Sequence, residues 1–332
     1  MITVILPAFN EQDSIAQSIY RIRAVCDRAG LPTADIMVVD DGSSDETLND
    51  ALNAGALVVR HPHNLGYGRA LKAGILRSRH DTIVIVDADL TYPIESLPEL
   101  LEKYGEGFDM VVGARTGEYY KESVVKGHLR NLLKWLVEFT AGRKIPDINS
   151  GFRVFSKETV IRHLDHLCDT FSFTTSLTLA YMMTGKFVDY VPIEYHRRQG
   201  TTKVRLLRDS LRTLQYIVQS ITFYNPIKLF VLLSCVSLLL SLPFLLIGFL
   251  SGSVFFDIVG ASMLVMCGIV FSMGLMADLV RQVGLQLRPE RTGTGFKSEV
   301  FSATPPPVTA PLIQAESLPA VSMPAGRETV YR

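Results

Sequence analysis

The chain has 332 residues, enough for two modest domains or for one domain with appendages. Its 33 lysines and arginines balance its 33 aspartates and glutamates, so no global basic field points to nucleic acid. Cys26, Cys168, Cys235 and Cys267 make no CxxC pair and no zinc spacing, and a reducing compartment is the simplest reading.

In chain order, residues 2–6 read as a strand from which no cleaved signal peptide is expected. Residues 14–29 read as an amphipathic helix with Ile15, Ile19, Ile22 and Val25 on one face. Strands follow at 35–39, 56–59, 82–86 and 109–113, with helices near 45–54, 68–79 and 94–104 between them. This alternation predicts an α/β fold with a mostly parallel sheet covered on both faces. Ligands on such sheets bind beyond the carboxyl ends of the strands. Polar clusters follow four of the predicted strands: Pro7-Ala8-Phe9-Asn10-Glu11, Asp40-Asp41-Gly42-Ser43-Ser44-Asp45, Asp87-Ala88-Asp89 and Ala114-Arg115. All four are expected at one edge of the sheet. Asp87 and Asp89 close an apolar run two positions apart, and side chains at that spacing share a face of a strand. Paired carboxylates of this kind hold Mg²⁺ or Mn²⁺ when water and substrate phosphates complete the shell.

Residues 116–199 are less regular. Beyond them, 203–225 reads as an amphipathic helix suited to a membrane interface or to packing on the domain. Residues 227–250 and 254–280 are apolar enough and long enough to cross a hydrocarbon core of about 30 Å. The Ser251-Gly252-Ser253 link carries no Lys or Arg, whereas Arg205, Arg208, Arg212 and Lys228 precede the pair and Arg281, Arg288 and Arg291 follow it. The positive-inside rule predicts a hairpin with the catalytic part and both termini cytoplasmic. Pro243 is expected to kink the first span. The Pro-rich tail, 288–332, is expected to lack structure.

Pro7–Glu11, Asp40–Asp45, the run from Leu65-Gly66-Tyr67-Gly68 to Gly74, and Asp87-Ala88-Asp89 occur in an order and spacing that resembles the family 2 glycosyltransferases, which have the GT-A fold. With Ser150-Gly151-Phe152-Arg153, the Arg197–Lys203 run and the two apolar spans, residues 1–280 resemble polyprenyl-phosphate glycosyltransferases of the dolichol-phosphate mannose synthase type. The resemblance implies a GT-A domain over 1–202, a juxtamembrane helix over 203–225 and a transmembrane hairpin over 226–281. It also implies an integral membrane hexosyltransferase that moves mannose or glucose, with inversion, from a nucleotide diphosphate sugar (GDP-mannose or UDP-glucose) to dolichyl or undecaprenyl phosphate. Pro7, Asn10, Glu11, Asp40, Asp41, Gly66, Gly68, Asp87 and Ala88 would bind the nucleotide sugar, and Asp87 and Asp89 the Mg²⁺ or Mn²⁺. Arg115, Arg130, Arg197 and Lys203 would hold the acceptor phosphate. Asp147 and Ser150 complete the catalytic set. A phosphate monoester is largely dianionic near pH 7, so Asp147 is expected to orient the acceptor or stabilise the developing charge rather than act as a base. Lys72 could face diphosphate or solvent. Membrane lipid is the expected surroundings, nucleic acid is not an expected partner, and homo-oligomerisation is left open.

Two rival readings exist. A processive polysaccharide synthase would usually carry Gln-x-x-Arg-Trp, but the single tryptophan, Trp135, follows Leu133-Lys134. A non-catalytic nucleotide-sugar-binding scaffold would have no need of the metal pair.

Overall fold

The computed structural model describes residues 1–31, 33–117, 134–196, 206–286 and 299–302. The first half runs β1 (Ile2–Ala8), α1 (Ile15–Arg28), β2 (Asp35–Asp40), α2 (Thr47–Asn53), β3 (Leu57–Arg60), α3 (Tyr67–Arg77), β4 (Thr82–Ile85), α4 (Leu97–Gly105) and β5 (Met110–Thr116). After α5, described over 134–141, come β6 (Arg153–Ser156), α6 (Lys157–Ile161), α7 (Phe173–Met183) and β7 (Val188–Glu194). The chain continues through α8 (Leu206–Tyr224), α9 (Pro226–Ser251), α10 (Val254–Gln286) and β8 (Glu299–Ser302).

The strands form one sheet in the order β7-β5-β6-β4-β1-β2-β3-β8. β1 to β4 pair in parallel. β6 is antiparallel to both β4 and β5, so β5 points the same way as β4, and β7 is parallel to β5. The carboxyl ends of β1, β2, β4 and β5 therefore lie along one edge, as the polar clusters predict.

Side-chain alternation splits the core into two layers. Val4 and Leu6 of β1 join Ile15, Ile19 and Ile22 of α1 on one face of the sheet. Ile5 joins Leu71 and Ile75 of α3 and Leu177 and Tyr181 of α7 on the other. Burial on both faces explains why these strands read as continuous apolar runs. Ile217 and Ile221 of α8 belong to the second layer. One face of α8 is thus built into the domain core. His166 stacks on Phe223 at 4.1 Å between centroids and fastens its end.

Three elements lack a sequence signal for physical reasons. β6 opens on Arg153, a fully buried guanidinium. β7 contains Pro192, which an edge strand tolerates. α7 is buried around nearly its whole circumference and so shows no amphipathic period. Within the tail expected to lack structure, Glu299–Ser302 pairs antiparallel with β3, Val59 opposite Val300. The β-prone Val300-Phe301 pair precedes the proline run and differs from it in composition.

α9 and α10 are long and apolar enough to cross a membrane, yet only 11% and 6% of their most apolar windows is buried. They pack on each other: Ser237 donates to the Met263 carbonyl at 2.8 Å. α9 continues through Pro243 as one helix and ends at Gly252 in the left-handed conformation.

Candidate active site

A cavity of about 460 Å³ opens at the carboxyl edge of the sheet. Pro7, Ala8, Phe9 and Glu11 line it from the β1 end, Asp41 from β2, Asp87, Ala88 and Asp89 from β4, and Arg115 from β5. Asn64, Gly66, Tyr67, Ala70, Asn149, Phe171, Thr174 and Tyr195 complete the wall.

On the acidic side, each carboxylate has a local anchor. Asp41 accepts the backbone N–H groups of Leu65 at 3.0 Å and Gly66 at 2.8 Å, and lies 2.7 Å from Nδ1 of the buried His61. It thereby ties the β2 loop to the loop that starts α3. The Glu11 N–H donates to Thr47 Oγ1 at 2.8 Å, which fixes the turn after β1. Asp87 accepts the Tyr67 hydroxyl at 2.8 Å, and Asp89 accepts the Thr91 hydroxyl at 2.6 Å. Burial and then the Asp87 charge push the Tyr67 phenol far up, so it stays a protonated donor. β4 ends at Ile85, so Asp87 and Asp89 lie on the turn beyond it and not on the strand itself. Both reach the cavity from that segment, beyond which Leu90 has φ 61° and the Thr91 N–H bonds Asp89.

The donor set fits a hard divalent cation. Two carboxylates on one cavity wall, each accepting a neutral hydroxyl, match an oxygen-ligated Mg²⁺ or Mn²⁺. Among the described residues no group of three or more His, Cys, Asp or Glu side chains converges to hold an ion. Diphosphate oxygens and water would have to supply the rest of the shell.

The opposite side is built differently. Arg115 Nε donates to Asp147 Oδ2 at 2.7 Å and Nη2 to Oδ1 at 3.0 Å, a bidentate fork. Asp147 is 2% exposed. Burial alone would raise its carboxyl. The Arg115 hydrogen bonds and charge, with the Asn149 N–H, outweigh that and hold it below the usual range. Arg115 also lies 5.4 Å from the Tyr195 ring.

Comparison with known proteins gives the family and the fold. The family model for glycosyl transferase family 2 matches residues 3–164. The amino-terminal domain belongs to glycosyl transferase family 2. The undecaprenyl-phosphate 4-deoxy-4-formamido-L-arabinose transferase of Edwardsiella ictaluri is 28% identical over 250 residues, covering 73% of this chain and 74% of that protein. The enzyme of the same name from Enterobacter sp. is 29% identical over 235 residues, covering 69% of each. Glucosyl-3-phosphoglycerate synthase from Mycobacterium tuberculosis, solved with Mn²⁺, UDP-glucose and phosphoglyceric acid, superposes with a TM-score of 0.55 at 23% identity. It covers 66% of this chain and 79% of that one. The fold is GT-A.

Within this glycosyltransferase domain, Pro7, Glu11, Asp41, Gly66, Asp87, Ala88, Asp89 and Arg115 all reach the cavity. Four expected site residues do not line this cavity and make contacts within the protein. Asn10, at φ 52°, caps the β2 loop by accepting the Ser44 N–H at 2.9 Å. Asp40 is buried; it accepts the Ser43 N–H at 2.9 Å and lies 3.3 Å from Arg60 Nε. Gly68 faces the protein's own backbone: a methyl there would sit 2.2 Å from the Cys168 carbonyl oxygen. Ser150 is fully buried and donates to the Gly113 carbonyl at 2.6 Å, which positions the loop. Lys72 faces neither diphosphate nor solvent, since its Nζ donates to the Leu167 carbonyl and to Asp169, both at 2.6 Å.

Arg153 braces the same loop from beneath. Its guanidinium donates to the carbonyls of Ser150 and Ile148 at 2.7 Å and to Thr178 Oγ1 at 2.7 Å. The neighbouring Gly151 packs on Asp87, where a methyl would come within 2.6 Å of Oδ2. Arg130, Arg197 and Lys203 lie outside the described residues. Sequence reasoning missed His61, Tyr67 as a partner of Asp87, and the Phe171 and Tyr195 walls. Tyr67 carried a signal, since it sits inside the Gly66–Gly68 motif.

Proposed function

We propose that this enzyme transfers a hexose from a nucleotide diphosphate sugar to a polyprenyl phosphate at the cytoplasmic face of a membrane. GDP-mannose and UDP-glucose are the favoured donors. Residues 1–202 serve as the GT-A domain, 203–225 as the juxtamembrane helix and 226–281 as a membrane hairpin with both ends cytoplasmic. The observation that carries the reading is the division of one cavity into an acidic wall, Asp87 and Asp89, and an arginine-bearing wall, Arg115, beside two lipid-compatible helices.

Asp87 and Asp89 hold the cation, and Pro7, Glu11 and Asp41 bound the nucleoside end. When bound, Mg²⁺ or Mn²⁺ supplies charge stabilisation to the departing diphosphate. Arg115 holds the acceptor phosphate near the anomeric carbon, with Arg130, Arg197 and Lys203 as further candidates for the same task. A phosphate oxygen forms the new bond to the anomeric carbon while the bond to the diphosphate oxygen breaks and its electron pair leaves with the diphosphate. The dianionic acceptor has no proton to give up, so no base is needed. Asp147, ionised and forked to Arg115, orients that arginine. A single displacement inverts the anomeric centre.

The relatives named as undecaprenyl-phosphate transferases support the acceptor class, and the Mn²⁺-bound structure supports the cation. The test is a panel of labelled nucleotide sugars incubated with the purified full chain, undecaprenyl phosphate and Mg²⁺ or Mn²⁺. One donor should label the lipid with a single sugar, and chelation should stop it. A polymer, or transfer only to soluble acceptors, would refute the proposal.

A further inference from the structure

His61 follows β3 directly and is 3% exposed. Its backbone N–H donates to the Asp40 carbonyl at 2.9 Å, and the Asp41 N–H donates to the Ala8 carbonyl at 2.8 Å. Both residues are therefore pinned at the ends of neighbouring strands. The His61 ring lies against Asp41, with Nδ1 2.7 Å from Oδ1. A carboxylate only accepts, so Nδ1 carries the shared proton. Oδ1 also takes the Leu65 N–H at 3.0 Å, and Oδ2 takes the Gly66 N–H at 2.8 Å. A carboxylate has about four acceptor positions, two on each oxygen. Donors from the described residues fill both positions on Oδ1 and one on Oδ2. Two backbone donors and a buried ring fix the orientation, so the group is not free to turn and offer Oδ1 instead. Asp41 thus keeps a single open acceptor position, and it lines the cavity.

That number discriminates between nucleobases. Guanine presents two adjacent donors on its Watson–Crick edge, N1–H and N2–H₂, which match a carboxylate with both oxygens open. Uracil and thymine present one imide N–H between two carbonyls. One open acceptor satisfies the imide. A second open oxygen would face an imide carbonyl, lone pair against lone pair, and the His61 and Leu65 N–H groups cover it. Guanine in the same place leaves one donor without its partner, which lowers affinity about tenfold or more. We infer that His61 is a specificity-determining residue for the donor: by filling Asp41 Oδ1 it selects an imide base, uracil or thymine, over guanine. This rests on the reading of the cavity as a nucleotide-sugar site and narrows the donor to a pyrimidine nucleotide. His61 does not line the cavity, so it acts through Asp41 as a positioning residue.

The test is equilibrium binding of UDP, dTDP and GDP to the purified full chain with Mn²⁺, for wild type, His61→Leu and His61→Asn. Wild type should bind UDP or dTDP about tenfold more tightly than GDP, and the tighter of the two identifies the nucleoside. His61→Leu removes the donor and opens Oδ1, so the preference over GDP should shrink about tenfold. His61→Asn returns an N–H near the Nδ1 position and should restore the preference. A His61 that served packing alone would weaken all three nucleotides together in His61→Leu and leave their ratio unchanged, which would overturn the inference. Wild type that binds GDP as tightly as UDP and dTDP would also overturn it, and that result needs no variant to fold. Binding of none of the three would instead remove the nucleotide reading beneath it.

Discussion

The two walls of the cavity both carry buried or half-buried carboxylates, and the geometry holds them with different kinds of donor: hydroxyls on one side, a guanidinium on the other. Asp87 and Asp89 accept the hydroxyls of Tyr67 and Thr91, neutral donors that satisfy lone pairs. Asp147 is forked by a guanidinium, which cancels its charge and uses both its oxygens. A carboxylate held by neutral donors keeps its attraction for a cation, whereas one paired to arginine is spent on geometry. On the proposed function, the same side chain takes two roles in one site.

The largest effect that would break this contrast is on the acidic wall. Asp89→Ala should lower transfer by about a thousandfold, since charge stabilisation by a bound metal is worth several kcal/mol. Circular dichroism should show the fold unchanged. Near-normal turnover in that variant would contradict the assignment. On the other wall, Arg115→Ala leaves Asp147 buried and uncompensated. Denaturant unfolding should then show a loss of about 3 kcal/mol, together with loss of activity. A smaller change sharpens the comparison: Tyr67→Phe removes one donor to Asp87 and should weaken Mn²⁺ binding about tenfold, read by titration with nucleoside diphosphate present. A Tyr67→Phe variant with unaltered Mn²⁺ affinity would show that the phenol is only packing.

The smallest expected effect concerns pH. The folded-state pKa of Asp147 is depressed below its ordinary 3.8. Its contribution to stability is therefore complete above that value and is lost as pH falls through the folded-state pKa. Between pH 6 and 8 its ionisation should change neither stability nor rate. Comparing wild type with Asp147→Asn by denaturation below pH 4 should show their difference shrinking. A rate profile with an Asp147-dependent step near neutrality would restore a base role.

The first half of the fold is legible in the sequence because parallel strands buried on both faces leave continuous apolar runs, as in Ile2–Ala8 and Thr82–Ile85. The acids after those runs are legible as a site because a parallel sheet brings its carboxyl ends together. The later elements are not, because β6 begins with a buried arginine and α7 has no polar face. Site residues from distant segments are equally hidden. Tyr195 and Phe171 reach the cavity only through the fold, and the Asp41–His61 contact joins residues 20 positions apart on neighbouring strand ends. Asp40 and Ser150 are buried and bonded to loop backbone, a placement that sequence does not separate from a ligand loop because turns use the same polar residues.

The contrast between the walls is tested most directly by equilibrium binding of UDP and GDP to the purified full chain, with and without Mn²⁺. The comparison is between wild type, Asp89→Ala and Arg115→Lys. One of the two nucleotides should bind wild type only when Mn²⁺ is present, lose that binding in Asp89→Ala and keep it in Arg115→Lys. Metal-independent binding, or binding that survives Asp89→Ala and fails in Arg115→Lys, would reverse the roles given to the two walls.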